Sequence, residues 1–107
     1  MNIDFSQLVT VEAKRAMDAE SRLEAARAEC RRRILQAVGS VAQMNLMAAA
    51  SADMLTPAQM ADWAKTLEWI SRMRGAWREI AQSDVGSVQE ANWPPMPDET
   101  KRLVEGF

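Results

Sequence analysis

The sequence predicts an all-α protein: a helical hairpin with a long, partly projecting N-terminal helix, then a proline-rich extended segment and a short C-terminal helix. Three observations predict this class. Helix-forming residues dominate from Thr10 to Ser51, and Gly39 is the only clear breaker among them. Apolar residues recur at steps of three and four between Thr56 and Gln82. Three prolines in four positions then interrupt the helical pattern.

The N-terminal helix is expected to project from the rest of the molecule. A helix unbroken from Thr10 to Ser51 would be roughly 60 Å long, whereas a compact domain of this size has a radius of gyration of about 13 Å. The helix therefore breaks near Gly39, or its first half projects. The alanine, glutamate and arginine content of residues 12–33 favours projection. We divide the chain into an arm and projecting helix, residues 1–33, and a small helical domain, residues 34–107.

The projecting helix has only a thin apolar side. Its members recur at helical spacing in a narrow row, which is typical of a coiled-coil seam and predicts self-association as a homo-oligomer. The candidate self-association residues are Ala16, Leu23, Ala26, Cys30 and Ile34. Two alternatives stay open, a solvated helix that is merely long and a supporting role within the domain.

From residue 34 onward the apolar face becomes broad enough to cover a second helix. The expected packing residues are Ile34, Leu35, Val38, Val41, Ala42, Leu46 and Met47. The linker of residues 51–55 is short, so the two helices are predicted to be antiparallel neighbours, a hairpin over residues 34–83.

The second helix of the hairpin has a strong start signal. Thr56 is suited to the N-cap, Pro57 to the first helical position, and Gln59 to the return bond of a capping box. The predicted buried stripe contains Met60, Trp63, Leu67, Ile70, Trp77 and Ile80. Trp69, Met73 and Ala76 lie to one side of that stripe, so this helix needs partners over a wide arc.

The proline-rich segment, residues 92–97, cannot be helical and favours an extended path. Its side chains Trp93 and Met96 are expected to lie back across the hairpin and close the core. The alternative is a ligand for an aromatic-lined groove of another protein. Asp98 is suited to cap a last helix, and residues 98–105 are predicted to form it.

Composition excludes several function classes. The net charge of −2 argues against a general nucleic-acid binder. Cys30 is the single cysteine and histidine is absent, so neither an intrachain disulfide nor the commonest general base is available. The longest apolar stretch is too short to span a bilayer, and the N-terminus lacks the pattern of a signal peptide. A soluble, cytoplasmic protein that does not act on membranes is expected.

No catalytic constellation, phosphate-binding loop or metal-ligand spacing occurs in the sequence. We therefore expect a protein that is not an enzyme and uses no cofactor. The sequence contains two basic clusters. The first is Arg27 with Arg31–Arg33, and the second is Arg72, Arg74 and Arg78, which lie among tryptophans. Three consecutive helical residues point in directions about 100° apart, a fan of about 200°, so Arg31–Arg33 cannot form one flat patch. Solvated faces, ion pairs and arginine stems covering tryptophan rings are the favoured explanations.

One family resemblance is carried by the second half of the chain. This part of the chain has a tryptophan-bearing helix, a short polar loop and a Trp-Pro-rich segment, and it resembles the bacteriophage tail assembly chaperones. The residues that carry the resemblance are Trp63, then Leu67, Trp69, Arg74, Trp77, Arg78 and Ile80 of the helix, and Asn-Trp-Pro-Pro-Met-Pro at 92–97. The likeness covers about residues 56–97, and the earlier half is similar in composition alone. Residues 73–78 read Met-Arg-Gly-Ala-Trp-Arg where that family often shows a Tyr-Arg-x-x-Leu-Arg run.

The resemblance implies a function in assembly rather than catalysis. A tail or tail-fibre protein is the implied partner, and the cytoplasm of a bacterial host or the virion is the implied location. The aromatic and proline residues are candidates for a partner site or for the core: Trp63, Trp69, Trp77, Trp93, Pro94 and Pro97. The alternative hypothesis is a small helical nucleic-acid-associated regulatory protein, motivated by the arginines between residues 27 and 33.

Overall fold

The computed structural model describes residues 5–83 and 86–107. These residues form helices and no β-strand, which confirms the predicted all-α class. In chain order the elements are α1 (Phe5–Ala37), α2 (Ser40–Ser51), α3 (Pro57–Gln82), a 3-10 helix (Val88–Glu90) and α4 (Asp98–Val104). The molecule is elongated, with principal extents of 75 × 22 × 16 Å.

The break between α1 and α2 lies at Val38 and Gly39, where the sequence predicts it. Gly39 is extended, with φ −61° and ψ 160°, and precedes the first turn of α2. The side chain of Gln43 donates to the Val38 carbonyl at 2.8 Å, so this carbonyl is satisfied despite the break. At its other end α1 begins earlier than predicted. Thr10 lies inside the helix, because residues 5–9 contain no glycine or proline that would end it.

The main partner of α3 is the second half of α1. The Cys30 thiol donates to the Met73 carbonyl at 3.4 Å, and Arg22 donates to the carbonyl of Ala81 at 2.9 Å. The earlier residue of α1 thus bonds to the later residue of α3, so the two helices are antiparallel. The buried cluster between them contains Ala26, Cys30, Ile34, Trp69, Ile70, Met73, Ile80, Ala81, Val88 and Trp93. The predicted boundary after residue 33 thus falls within α1, whose packing against α3 begins near Arg22.

Arg22 also closes the C-terminal end of α3. Its guanidinium donates to the carbonyls of Ile80, Ala81 and Gly86 at 3.3, 2.9 and 3.0 Å. A helix C-terminus leaves carbonyls unpaired and carries partial negative charge. A guanidinium there stabilises the helix both by hydrogen-bonding these carbonyls and by its positive charge.

A second buried cluster joins α2 to the first half of α3 and to α4. It contains Val38, Ala42, Leu46, Leu55, Trp63 and Leu103. Residues 38, 42 and 46 face inward because they are four positions apart. Three residues predicted to pack here are exposed instead, namely Leu35, Val41 and Met47. They point away from that stripe, and in the described part of the chain no further element covers them.

The start of α3 follows the prediction, but its buried face is rotated. The Gln59 amide donates to the Thr56 hydroxyl at 3.2 Å, and the Thr56 amide donates to the Gln59 side chain at 2.9 Å, which completes the capping box. Met60 and Leu67 are exposed, although the sequence places them in the buried stripe. Trp63, Trp69, Ile70, Met73 and Ile80 are the large apolar residues that α3 buries.

The proline-rich segment closes the core through Trp93, as expected. Met96, which the sequence predicts to pack there as well, is 40% exposed and stays outside the core. Trp93 is buried, and its indole donates to the Val88 carbonyl at 2.9 Å. The indole of Trp69 donates to the carbonyl of Pro94 at 3.0 Å. Each ring therefore buries its apolar body while its polar N–H is satisfied, by the closing segment for Trp69 and by the 3-10 helix for Trp93.

Helix α4 docks on α3 through polar pairs. The hydroxyls of Thr66 and Thr100 are fully buried and lie 2.8 Å apart in a hydrogen bond. Arg102 forms a bidentate pair with Asp62, at 2.8 and 3.1 Å. The N-cap position belongs to Pro97 rather than to the predicted Asp98, which is already the first helical residue and makes no capping bond.

Two neighbouring residues of α2 provide a test of this packing. Leu46 is fully buried, whereas Met47 is 60% exposed. We expect Leu46→Ala to lower the free energy of unfolding by about 2–5 kcal/mol, because it leaves a cavity in the core. Met47→Ala should change it by less than about 0.5 kcal/mol. Urea unfolding followed by circular dichroism measures both, and equal losses would contradict the orientation of α2.

Candidate binding surface

The structure divides the predicted self-association row into two parts. Ala26, Cys30 and Ile34 are buried against α3 and belong to the core of the single chain. They are therefore not available to a second copy, and their coiled-coil spacing is explained by an intramolecular partner. Ala16 and Leu23 are exposed, and every residue from 10 to 21 is exposed as well.

The predicted aromatic and proline residues are mostly structural. Trp63, Trp69 and Trp93 are buried, and Pro94 and Pro97 are partly buried around them. Trp77 differs, because it is only half-buried and lies at the edge of the α1–α3 cluster. Of the four tryptophans, it is therefore the one placed to meet a ligand.

Trp77 forms one wall of an open pocket of about 600 Å³ between α1 and α3. Two arginines from each helix surround it, in each case four residues apart and therefore on one face of the helix. We call this the four-arginine pocket, and its arginines are Arg27, Arg31, Arg74 and Arg78. The remaining lining residues are Cys30, Ile34, Leu35 and Gln43.

The guanidinium groups of this pocket are not neutralised by any carboxylate in the described part of the chain. Arg27 and Arg78 lie over the ring of Trp77, at 5.9 and 5.1 Å from its centre. Within residues 5–83 and 86–107, none of the four arginines forms an ion pair with a carboxylate, and none of the pocket's lining residues is acidic. The pocket is thus a concentrated positive site on a protein of net charge −2.

Neighbouring arginines behave differently. Glu29 accepts hydrogen bonds from Arg32 at 2.5 and 3.0 Å and from Arg33 at 2.9 Å. The bond from Arg32, with the second from Arg33, holds the pKa of Glu29 below its usual value of 4.5 in spite of burial. Arg72 is paired with Glu68 on the surface of α3. The four-arginine pocket therefore brings together four guanidinium groups that pair with no carboxylate among the described residues.

Beside the pocket lies an uncharged, apolar surface on α2. The chain carries no charged residue from 34 to 52. Three large side chains stand on the side of α2 opposite its buried residues, and we call them the α2 outer face: Val41, Met44 and Met47, which are 69%, 70% and 60% exposed. Gln43 belongs to α2 and also lines the four-arginine pocket, so the two surfaces are adjacent.

The described residues present neither an exposed thiol nor a cluster of metal-ligating side chains. The only thiol, Cys30, is buried, and burial raises its pKa, which leaves it in the unreactive form. Residues 5–83 and 86–107 contain no group of three or more acidic, cysteine or histidine side chains that would hold a metal ion. None of the helices described is both long and apolar enough to cross a membrane.

Sequence reasoning found the arginines but not the pocket. Arg31 does not share a surface with Arg32 and Arg33, which both bind Glu29. Of these three only Arg31 joins the pocket, and the arginines that it meets from α3, Arg74 and Arg78, lie more than forty positions away in the sequence. The available signal was the i, i+4 spacing of both pairs, which becomes informative only when the register of α1 on α3 is known.

Comparison with known proteins gives no family assignment. The chain matches no protein-family model, no curated protein and no solved structure.

Glu29 provides a test of the charge arrangement around the pocket. Its lowered pKa means that the ionised carboxylate stabilises the fold fully above pH 4.5, and that this contribution is lost as the pH falls through the folded-state pKa. Glu29→Gln should therefore reduce the free energy of unfolding at pH 7, by on the order of 1 kcal/mol. Its difference from the wild type should shrink at pH 3. Urea unfolding at both pH values measures this, with Glu68→Gln as an exposed control, and a difference independent of pH would contradict the arrangement.

Proposed function

We propose that this protein acts by binding another protein, as a non-enzymatic assembly factor, and that the α2 outer face is its binding surface. The observation that carries the proposal is the exposure of Val41, Met44 and Met47 on a helix without a single charge. Helices that are apolar on all sides are normally buried. Here the chain covers one side of α2 and leaves the other for a partner.

The chemistry of this face suits a protein ligand. Methionine side chains are flexible and polarisable, so they adapt to the shape of an apolar partner surface. Burial of such side chains contributes about 25 cal/mol per Å² of apolar area removed from water. The occupant we propose is an amphipathic segment of another protein, whose apolar row lies along α2.

The resemblance of residues 56–97 to tail assembly chaperones supports a phage tail or tail-fibre protein as the partner. In this proposal the tryptophans and prolines of that stretch hold the fold, through contacts such as the bond from Trp69 to Pro94. They orient α2 rather than touch the partner. The site of action would be the cytoplasm of a bacterial host, and the virion if the complex persists.

A substitution on the α2 outer face tests this proposal. Met44→Glu should abolish the complex with a co-expressed tail or tail-fibre protein, because it places a charge at the centre of an apolar contact. Met17→Glu makes the same change at an equally exposed site on α1, 69% against 70%, and should leave the complex intact. Co-purification from cells expressing both proteins measures the effect.

Two outcomes would contradict the proposal. One is a complex that forms with Met44→Glu as well as with the wild type. The other is a complex lost with Met17→Glu alone, which would move the binding surface to α1. Thermal unfolding midpoints within about 2 °C of the wild type exclude loss of fold as the cause.

Self-association through the first half of α1 is a second proposal. The motivating observation is that residues 10–21 are helical yet exposed on every side. Isolated helices of this length are marginal in water, so pairing with a second copy would stabilise this part of α1. The seam is shorter than the sequence predicts, because only Ala16 and Leu23 of the five expected residues are free to take part.

The self-association proposal predicts a concentration-dependent mass. Light scattering at tens of micromolar should give a mass above the 12.0 kDa of one chain. The double variant Ala16→Glu/Leu23→Glu should return it to that of a monomer, because four or more like charges would then face each other across the seam. A wild-type protein that is strictly monomeric at this concentration would rule the proposal out.

The nucleic-acid alternative has less support. It was motivated by the arginines between residues 27 and 33, and Glu29 already balances Arg32 and Arg33. What remains is a single pocket rather than an extended basic track. Binding of nucleic acid is kept as one outcome of the experiment on that pocket.

A further inference from the structure

We propose that the four-arginine pocket binds an acidic segment of the partner protein, whose carboxylates pair with Arg27, Arg31, Arg74 and Arg78. The inference rests on the proposed function and deepens it, since it states the chemistry of the segment that docks beside α2. It concerns a different surface from the α2 outer face, so each can be tested without the other.

The charge of the pocket is the first argument. Five of the six arginines outside the pocket have a local partner: Glu29 for Arg32 and Arg33, Glu68 for Arg72, Asp62 for Arg102, and backbone carbonyls for Arg22. The four pocket arginines have no carboxylate partner among residues 5–83 and 86–107. The planar guanidinium fork matches a carboxylate in two-point geometry, and such charge-assisted bonds are about twice as strong as neutral ones.

The rigidity of the pocket is the second argument. Arg27 and Arg78 pack over the ring of Trp77, which holds their guanidinium groups in place. Arginine stacking on an aromatic face lowers the entropy lost when a ligand is bound. The pocket is thus preorganised for an anion before the partner arrives.

The apolar surroundings specify a peptide rather than a bare anion. On α1, Leu35 lies one turn after Arg31 and two turns after Arg27, on the same side of the helix. It lines the same pocket and is 38% exposed. Leu67 lies two turns before Arg74 on α3 and is 47% exposed. Carboxylates at one end and apolar side chains at the other are what an acidic amphipathic helix would offer to this surface.

The extent of the pocket favours a short acidic segment over a nucleic acid. From Arg27 to Leu35 the surface runs about 12 Å along α1. Farther toward the N-terminus the same helix carries Asp18, Glu20 and Glu24. A nucleic-acid strand has a regular row of phosphates and needs a basic track that continues beyond one pocket. These carboxylates interrupt any continuation of the basic surface along α1 toward its N-terminus.

The test uses a synthetic peptide of about 12 residues, long enough for three helical turns, with glutamates four apart toward one end of one helical face and leucines toward the other end of the same face. Calorimetric titration into the full-length protein at low ionic strength should show binding that weakens as salt is added. Replacing every glutamate of the peptide by glutamine should abolish it.

Matched variants locate the site. Arg31→Gln/Arg74→Gln should weaken peptide binding by about tenfold or more, because it removes one guanidinium from each side of the pocket. Arg15→Gln/Arg72→Gln removes the same charge from exposed positions outside the pocket and should change binding by less than about twofold. All four side chains are exposed, so both variants should fold.

Three outcomes would overturn the inference. The first is no binding of the glutamate peptide, or equal weakening by the two double variants. The second is tighter binding, at equal salt, of a single-stranded oligonucleotide with the same number of charges. The third is competition by inorganic phosphate at concentrations equal to those of the peptide, which would indicate a site for small anions.

The experiments distinguish a wrong α2 proposal from a wrong pocket proposal. If the complex with the tail protein survives Met44→Glu while binding of the peptide still requires Arg31 and Arg74, the α2 proposal is wrong and the proposal for the pocket is supported. If Met44→Glu abolishes the complex while the arginine variants bind the peptide normally, the reverse holds.

Discussion

The packing of α1 against α3 is the constraint on which the rest of the structure depends. Ala26, Cys30 and Ile34 lie at four-residue steps and enter the core together with Met73. The first two are small, which lets the helix backbones approach closely and seats the Cys30 thiol on a carbonyl of α3. That register decides which residues stand beside the seam. Arg27 and Arg31 each follow a buried residue by one position, so they lie about 100° around α1, at the rim of the groove.

The same register explains the closure of the molecule. With α1 on one side of α3, the buried ring of Trp69 needs a partner for its N–H, and the proline-rich segment supplies the Pro94 carbonyl. Because prolines lack an amide hydrogen and favour an extended path, the segment does not compete by forming a helix of its own. Arg22 then reaches from α1 to the end of α3. Tertiary contacts thus complete what each helix leaves unsatisfied at its termini.

The start of α3 and the break at Gly39 could be predicted because their causes are local. Thr56, Pro57 and Gln59 contain within four residues all the chemistry of that helix start. The partner of α3 could not be predicted in the same way. The row of Ala26, Cys30 and Ile34 has the spacing of a coiled-coil seam, and spacing alone does not say whether the covering helix belongs to the same chain. The four-arginine pocket forms only because the covering helix belongs to the same chain, so the pocket could not be predicted from the sequence either.

The unbalanced charge of the pocket has a physical consequence for the proposed complex. Like charges that converge at one site destabilise a fold, and elsewhere this chain places carboxylates such as Glu29 and Asp62 against its arginines. At the pocket it places Trp77 and Leu35 instead, whose low polarity strengthens the field at the opening. Such a field attracts and orients an acidic segment over a distance of about 10 Å. The α2 outer face acts only on contact, through burial of apolar surface. The two surfaces would therefore act in sequence, the pocket governing the rate and direction of approach and α2 the lifetime of the complex.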